Sequence, residues 1–511
     1  MYNLNKEVQT MIELKTNNLK KIRDVNPCLV SYNIEFAEVT GGTFWKEYTK
    51  DQISGKEPFK VSGDANDLQK AMGELMQVYP PVDLTNARVR KLAKALGQCW
   101  IRVSGTWATK TYYDFDGKTN GVPPFGYQNV LTKKQWLGVL EFVKVVNGKL
   151  LISLANCQGL HSANEPWNPS EAEKIFSLSK EYGVPIMAAE FANEPNMLQV
   201  TGFPQGYTAK DYRRDQDLFY AWVRENYPEC KLVGPCNTAG TGDNKESGGG
   251  LEKVMGYTCS CEELMEGTKQ PIDIYSYHCY NGCSERLAML LPKGHWQASE
   301  ATSEPYLSVI SNACLSNIPY RDKYCPNGEM WVTEAGDAGG GGDTWASTYL
   351  DVIRNINEHA HFSKLTNGVI FHNTLCSSDY GYLHREDFIP RPNYFGVLLW
   401  NKLMGSEVYE TNEEIRLGAH VFAHNRKDGK SGYAYVVINN DLENSSEVNL
   451  PENTECYILA PKDDIRSSIM TLNGNDLVLK ENDELPSLDP VIKSGTHTLA
   501  PGNIAFFLTK E

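Results

Sequence analysis

A chain of 511 residues, 41% of them hydrophobic and 22% charged, can bury a large core, which excludes a disordered protein and leaves room for one big domain and a smaller one. Its 64 acidic and 49 basic residues give a formal net charge of −15 with no strongly basic segment, the wrong field for nucleic acid or an anionic membrane surface. No run approaches the roughly 18 apolar residues that span a bilayer.

The first residues, MYNLNKEVQTMIELKTNNLKKIRD, hold no apolar stretch like that of a signal peptide, so a cytoplasmic location is expected. MIELKT has strand character. Eight strand candidates follow in order, at residues 29–36, 99–103, 150–154, 185–191, 231–234, 272–277, 330–334 and 368–371. Amphipathic segments with apolar residues at i, i+3, i+4 and i+7 lie between most of them: NARVRKLAKALG, LTKKQWLGVLEFVKVV, PSEAEKIFSLSKEYG, KDYRRDQDLFYAWVRENY and TWASTYLDVIRNINEH. Strand and helix alternate and the strand count is that of a closed barrel, so the predicted architecture is α/β, a (β/α)8 TIM barrel over residues 25–405. Beyond NYFGVLLWNKLMG the pattern changes to short alternating runs separated by turn signals, which predicts an antiparallel β-sandwich over 406–511, with residues 1–24 contributing an N-terminal strand to it.

Thirteen cysteines is an odd number, and Cys99, Cys157 and Cys279 sit inside apolar runs, which fits reduced thiols better than a disulfide framework. Cys259, Cys261, Cys279 and Cys283 raise a zinc site, but C-x-C followed by C-x-x-x-C matches no common ligand spacing, and no metal or other cofactor is expected.

Two acids stand at the ends of apolar runs: Glu194 in PIMAAEFANEPN and Glu334 in EMWVTEAGDAGGGG. In a parallel barrel the carboxyl ends of the strands face the functional cleft, so two such carboxylates can flank one bond, the equipment of a glycoside hydrolase. Asn-Glu-Pro also occurs at 164–166, but Glu165 lies just ahead of a helix start, where Asn168 reads as the N-cap, Pro169 as the first helical residue and Glu171 as a capping-box partner. A charge there is most simply a loop carboxylate. Glu194 instead follows a strand directly, with Pro195 to break it and Asn193 placed to meet a sugar 2-hydroxyl; the plain alternative is that Asn193 and Pro195 only shape a turn. Glu334 leads into a glycine-rich loop suited to exposing backbone N–H groups, and Asp337 competes with it from within that loop. On the sixth strand, DIYSYHCYNG puts His278 and Tyr280 on one face, for orienting the nucleophile and bonding the sugar, although His278 also reads as a buried structural histidine. Glu35, inside the first strand, is hard to explain as packing and is a candidate ligand for sugar hydroxyls.

At these residues the chain resembles glycoside hydrolase family 79, the clan A family of β-glucuronidases and heparanases. IRVSGTWATKTYYDFDG, DIYSYHCYNG, WVTEAGDAGGGG and RPNYFGVLLWNKLMG carry the similarity, as do SIMTLNGNDLVL and DELPSLDP near the end. The resemblance implies a retaining mechanism with Glu194 as acid/base and Glu334 as nucleophile, their carboxyl groups roughly 5–5.5 Å apart. It also implies that a substrate carboxylate is held by tyrosine hydroxyls and backbone amides, for which Gly340, Gly341, Gly381 and Tyr382 are the matching positions, with Tyr380 in place of Tyr382 if the match slips. Relatives usually carry two glycines after the second strand where this chain has Ser104 and Gly105. Three functions follow: an exo-acting β-glucuronidase on small glycosides or oligosaccharides, favoured by the acidic surface; a heparanase-like endo enzyme cutting glycosaminoglycan chains; and a non-catalytic sugar-binding protein on the same scaffold.

Overall fold

The structure, a computed structural model, describes residues 11–60, 73–198, 200–238 and 257–511. Eight parallel strands close into a barrel: β1 (Val30–Glu35), β2 (Trp100–Ser104), β3 (Lys149–Ser153), β4 (Ile186–Glu190), β5 (Lys231–Asn237), β6 (Ile274–Cys283), β7 (Glu329–Gly339) and β8 (Ile370–His372), with β8 pairing back onto β1 at Ile370↔Val30. The helices that follow them are α1 (Ala87–Ala95), α2 (Lys133–Val145), α3 (Ser170–Glu181), α4 (Ala209–Asn226), α5 (Cys261–Met265), α6 (Val309–Tyr324), α7 (Tyr349–Leu365) and α8 (Pro392–Leu403). Their starts follow from capping chemistry: Thr132 with Gln135 and Thr208 with Asp211 form capping boxes, and Asn86 accepts the N–H groups of Arg88 and Val89. None of these helices is long and apolar enough to cross a membrane.

The barrel strands are buried on both faces, and the period-two alternation sorts their side chains into layers. Trp100, Leu151, Ala188, Val233, Ile274, Trp331 and Phe371 fill the amino-terminal end of the lumen, with the Trp100 and Trp331 rings 4.9 Å apart. Two residues further along the same faces stand Arg102, Ser153, Glu190 and Asn373, so the lumen turns polar within one layer. On β7 the alternation is broken deliberately. Tyr277 pairs with Val332 but His278 pairs with Glu334, so one extra residue bulges out of β7 and brings Glu334 onto the face shared with His278.

The carboxyl-terminal strands form one antiparallel sheet, in the order Lys21–Asp24, Met404–Tyr409, His420–Arg426, Tyr433–Ile438, Ile504–Leu508, Ser446–Pro461, Met470–Leu472 and Asn475–Asp476. The long strand Ser446–Pro461 also pairs with Val491–Leu499 and, in parallel, with Ile12–Glu13. Alternate residues serve two cores: Val436, Ile438, Phe506 and Leu508 join the barrel's main core, while Tyr435, Val437, Ala505 and Phe507 pack with Ile12, Leu14 and Leu19. The Tyr349 hydroxyl at the start of α7 donates to the carbonyls of Leu459 and Gly502, which fixes the sheet against the barrel.

Local differences from the sequence reading have physical reasons. AGDAG, read as loop, is the second half of β7, because β6 runs on to Cys283 and supplies partners for Ala335, Gly336, Ala338 and Gly339. Asp337 is therefore in a strand and buried, its Oδ2 taking the Asp343 N–H at 2.8 Å. Helix α3 begins at Ser170, with Pro169 outside it; Asn168 Oδ1 takes the Ser170 N–H, and Glu171 is drawn off to the Tyr113 N–H and Lys174 instead of closing a capping box.

Because Phe506 fills the space between sheet and barrel, Phe506→Ala is expected to cost about 3–5 kcal/mol, whereas truncation of the exposed Ile492 is expected to cost under about 0.5 kcal/mol, as read from urea unfolding midpoints.

Candidate active site

The buried guanidinium of Arg102 organises the mouth of the barrel. Its Nε donates to both oxygens of Glu190 at 3.0 Å, its Nη1 to Glu334 Oε1 at 2.9 Å and its Nη2 to Asn193 Oδ1 at 2.7 Å. One side chain from β2 thus ties the ends of β4 and β7 and the loop after β4. Ser153 Oγ donates to Glu190 Oε2 at 2.6 Å and is hydrogen-bonded in turn to Ser104 Oγ. Burial would by itself push the Arg102 proton off, but Glu190 and Glu334 outweigh it and hold the group firmly charged.

Glu334 has its second oxygen met by the Tyr280 hydroxyl at 2.8 Å. Burial opposes its ionisation, yet His278, the Arg102 charge and the Arg102 and Tyr280 hydrogen bonds together pull its pKa below the ordinary carboxylate value. A carboxylate that is ionised, oriented from two sides and nearly buried can serve as a nucleophile. Asn373 Nδ2 donates to the Tyr280 hydroxyl at 2.9 Å, to the Tyr380 hydroxyl at 3.1 Å and to Glu35 Oε1 at 3.3 Å, so the two tyrosines and Glu35 converge on one amide. Burial, then the negative charges of Glu334 and Glu38, drive the Glu35 pKa well above the carboxylate range, so Glu35 is a neutral acid there. Burial lifts Glu38 to about 7 even though it accepts the N–H groups of Glu35 and Cys376. Gly105 explains itself: a Cβ at that position would lie 1.7 Å from Glu35 Oε2, so only glycine lets the Glu35 carboxyl lie against the chain.

Glu194 lies beyond β4, which ends at Glu190, rather than at the strand end. It adopts the left-handed conformation (φ 46°, ψ 54°) and opens a short helical turn, Pro195–Met197, that is held to the carboxyl end of β5 by Asn196 Oδ1 accepting the Thr238 N–H. His278 Nδ1 is 3.2 Å from Glu194 Oε1 and 3.6 Å from Glu334 Oε2, while its Nε2 faces Arg102 Nη2 at 3.4 Å. Flanked by the two carboxylates, Nδ1 carries a proton that lies between them. Ligand atoms of Glu194, His278 and Glu334 all lie within 4.8 Å of one another. Among the described residues this is the group of His, Cys, Asp and Glu atoms that converges, and the guanidinium already seated against it makes it a poor cation site. The four cysteines raised as zinc ligands are free thiols outside this group.

The structure brings Glu35, Asn193, Glu194, His278, Tyr280 and Glu334 together. Tyr382 stands apart: its ring stacks on His372 with centroids 4.0 Å apart, on the far side of β8, where burial pushes its hydroxyl pKa well above the ordinary value. Tyr380, the alternative to Tyr382, is the tyrosine that reaches the site, its hydroxyl taking the Asn373 amide at 3.1 Å. Gly381 is folded onto the Ser377 backbone, with its carbonyl bonded to Arg391, so it lines the loop interior. Gly340 and Gly341 form a turn with φ of +93° and +91° beside Ser284, Trp45 and Ser378. Glu165 accepts the N–H and Oγ of Ser162 on an exposed loop. Arg102, Glu190 and Asn373 were not singled out from sequence, although the charge inside CWIRVSG carried the same signal as Glu35 in its strand.

A TIM barrel with two carboxylates facing each other across its mouth defines this protein as a clan A glycoside hydrolase. The chain is 30% identical over 466 residues to Baicalin-beta-D-glucuronidase of Scutellaria baicalensis, covering 83% of this chain and 82% of that protein. It is 24% identical over 468 residues to Heparanase-like protein 1 of Arabidopsis thaliana, covering 81% and 82%. Its fold matches that of a 4-O-alpha-L-rhamnosyl-beta-D-glucuronidase from Fusarium oxysporum 12S with a TM-score of 0.63, 13% identity and coverage of 97% of this chain and 100% of the other. No protein-family profile matches the sequence. The chain belongs to glycoside hydrolase family 79, the family of β-glucuronidases and heparanases.

Replacing Arg102 by Met strands Glu190 and Glu334 without their counter-charge. The expected result is loss of hydrolytic activity together with about 3–5 kcal/mol of destabilisation, measured as a fall in the unfolding midpoint.

Proposed function

We propose that this protein hydrolyses terminal β-linked glucuronic acid from small glycosides or oligosaccharides with retention of anomeric configuration. The observation that carries the reading is the closeness of Glu194 and Glu334, whose carboxylate oxygens lie within 4.8 Å and share His278. Retaining enzymes place the two carboxyl groups roughly 5–5.5 Å apart, whereas inverting enzymes leave roughly 6.5–9.5 Å for a water between them.

Glu334 attacks the anomeric carbon while Glu194 protonates the departing oxygen. Glu194 then takes a proton from the water that releases the sugar from Glu334. Exposure supports the division of labour: the Glu194 side chain keeps 13% of its surface open against 7% for Glu334, and the residue that handles water needs the access. Arg102 and Tyr280 hold both nucleophile oxygens in line. Asn193, whose Oδ1 is taken by Arg102, offers its Nδ2 to the sugar 2-hydroxyl. The glucuronide itself is supported by the names of the relatives and by neutral donors, Tyr380 and the Gly340–Gly341 turn, at the edge of the site.

Incubation with an aryl β-glucuronide, followed by proton NMR of the first product formed, tests this directly. Release of the β-anomer with activity in Glu334→Gln lowered by roughly 10³-fold or more is expected. Initial release of the α-anomer would exclude retention. Cleavage of a glycosaminoglycan into oligosaccharides with no action on the aryl glycoside would instead establish the endo mode.

The acid side of the pH profile has a definite sign. Glu334 must be ionised to attack, and its pKa is held below the ordinary value, so the acid limb of kcat/KM should fall below pH ~4.5 rather than above it. Tyr280→Phe removes a bond to the carboxylate form and should move that limb upward.

A further inference from the structure

Four loops around the barrel mouth are gathered by a second buried guanidinium that touches neither catalytic glutamate. Arg286, just after β6 and 1% exposed, donates through Nη1 to the carbonyls of Gly342 at 2.7 Å and Gly340 at 3.2 Å. Its Nε and Nη2 reach the Lys46 carbonyl at 3.0 and 2.6 Å, its Nη2 also pairs with Asp379, and its face lies 3.6 Å from the centre of the Tyr48 ring. The loops after β1, β6, β7 and β8 are therefore fastened at a single side chain.

Peptide planarity converts these ties into a direction. In a trans peptide the N–H points opposite to the carbonyl of the preceding residue. The Gly339 carbonyl accepts the Ser284 N–H at 2.9 Å, and the Gly340 carbonyl accepts Ser284 Oγ at 3.0 Å as well as Arg286. Both carbonyls thus point at the Ser284–Arg286 segment, and the N–H groups of Gly340 and Gly341 point away from it. The Gly341 carbonyl is taken by the Asp379 N–H at 3.0 Å and Ser378 Oγ at 2.8 Å, and the Gly342 N–H by the Ala338 carbonyl at 3.1 Å. Every carbonyl from 339 to 342 except that of Gly342 is met by the chain on either side, and Arg286 meets that one too. The same Arg286–Asp379 pair sets the residue before Tyr380, whose hydroxyl meets Asn373 inside the site.

We propose that Arg286, with Asp379, is a positioning residue for recognition of an anionic sugar: it holds the Gly339–Gly342 turn so that two adjacent N–H groups, together with the Tyr380 hydroxyl, receive the carboxylate on C5. A lysine cannot reproduce this, because one ammonium on a flexible stem cannot bridge two glycine carbonyls, the Lys46 carbonyl and Asp379 at once. The sugar carboxylate is then bound by fixed dipoles rather than by a cation, which suits a strongly acidic protein.

The inference rests on the glucuronidase reading, and one set of measurements separates the two. Wild type, Arg286→Lys and Asp379→Asn are assayed on an aryl β-glucuronide and the aryl β-glucoside with the same leaving group, and Ki is measured for glucaric acid 1,4-lactone and gluconolactone. Expected in both variants is a fall of roughly 10- to 100-fold in the glucuronide-to-glucoside ratio of kcat/KM, carried mainly by KM, with a parallel loss of preference for the acidic lactone. These ratios do not depend on the folded fraction, so partial unfolding cannot imitate the result. Equal losses on the acidic and neutral ligands, or an undiminished ratio, would overturn the role of Arg286 while leaving the glucuronidase reading in place. A wild-type chain that hydrolyses the glucoside in preference would overturn the reading and this inference with it.

Discussion

The constraint on which the site depends is the burial of Arg102 between Glu190, Glu334 and Asn193. A guanidinium deep in a barrel is costly to desolvate, and it is tolerated here because each face of its fork meets an oxygen. Such a pair contributes little net stability compared with an apolar plug of the same shape. What it does is specify: the carboxylate of Glu334 can sit in one place only, and the ends of β2, β4 and β7 are brought into one register around it. Glu190, wholly buried at the end of β4, has the part of a counter-charge, leaving Glu334 bonded but not smothered.

This arrangement is inseparable from the layering of the barrel. The alternation that puts Trp100 in the apolar plug puts Arg102 one layer above it, and the same step leads from Leu151 to Ser153 and from Ala188 to Glu190. The plug keeps water out from below, so the charges above it act in a medium of low polarity where orientation matters. On β7 the step alone would have aimed Thr333, not Glu334, at His278; the bulge supplies the missing half-period. Beyond it, β6 and β7 continue as a paired ribbon to Cys283 and Gly339, a rigid arm that carries the glycine turn to the edge of the pocket.

Much of this was legible in the sequence because parallel barrel strands are covered on both faces and read as short apolar runs; all eight were found, although β6 and β7 run on well past their predicted ends. The two glutamates were legible because each follows closely on an apolar run, and the histidine and tyrosine because period-two spacing is a local property, although Glu194 lies four residues past its strand and Glu334 inside its own. The misses were non-local. Helix α6 escaped because its apolar residues are scattered around its surface and Pro319 lies inside it. The extent of β7 depends on a partner strand more than fifty residues away, so AGDAG read as loop from composition alone. Tyr382 and Tyr380 differ by two residues and a matching alternation cannot tell them apart; the choice is made by His372, whose ring claims Tyr382 for the layer behind the strand. Arg286 has no local signature at all, since three of the groups it binds are backbone carbonyls of other loops.

Charge accounts for the form of the whole site. Glu35, Glu38, Glu190, Glu194 and Glu334 gather at the barrel mouth, and on the proposed reading five carboxylates there could not all be ionised and still admit an anionic sugar. The structure divides them. Glu190 and Glu334 share the arginine. Glu35 and Glu38 are driven toward their neutral forms, Glu35 by burial and the charge of Glu334, and Glu38 by burial alone among its leading causes. Neutral Glu35 can donate to an oxygen where a carboxylate would repel it, and Asn373 ties it to the hydroxyls of Tyr280 and Tyr380. In the proposed mechanism negative charge is thereby kept at Glu334, the attacking group, and removed from the wall where the substrate's own negative charge would fit. On the proposed reading, recognition of the substrate anion is left to hydroxyl and peptide dipoles, which need rigid backing rather than charge, and the contacts of Arg286 and Asp379 are placed to give that backing from outside the pocket.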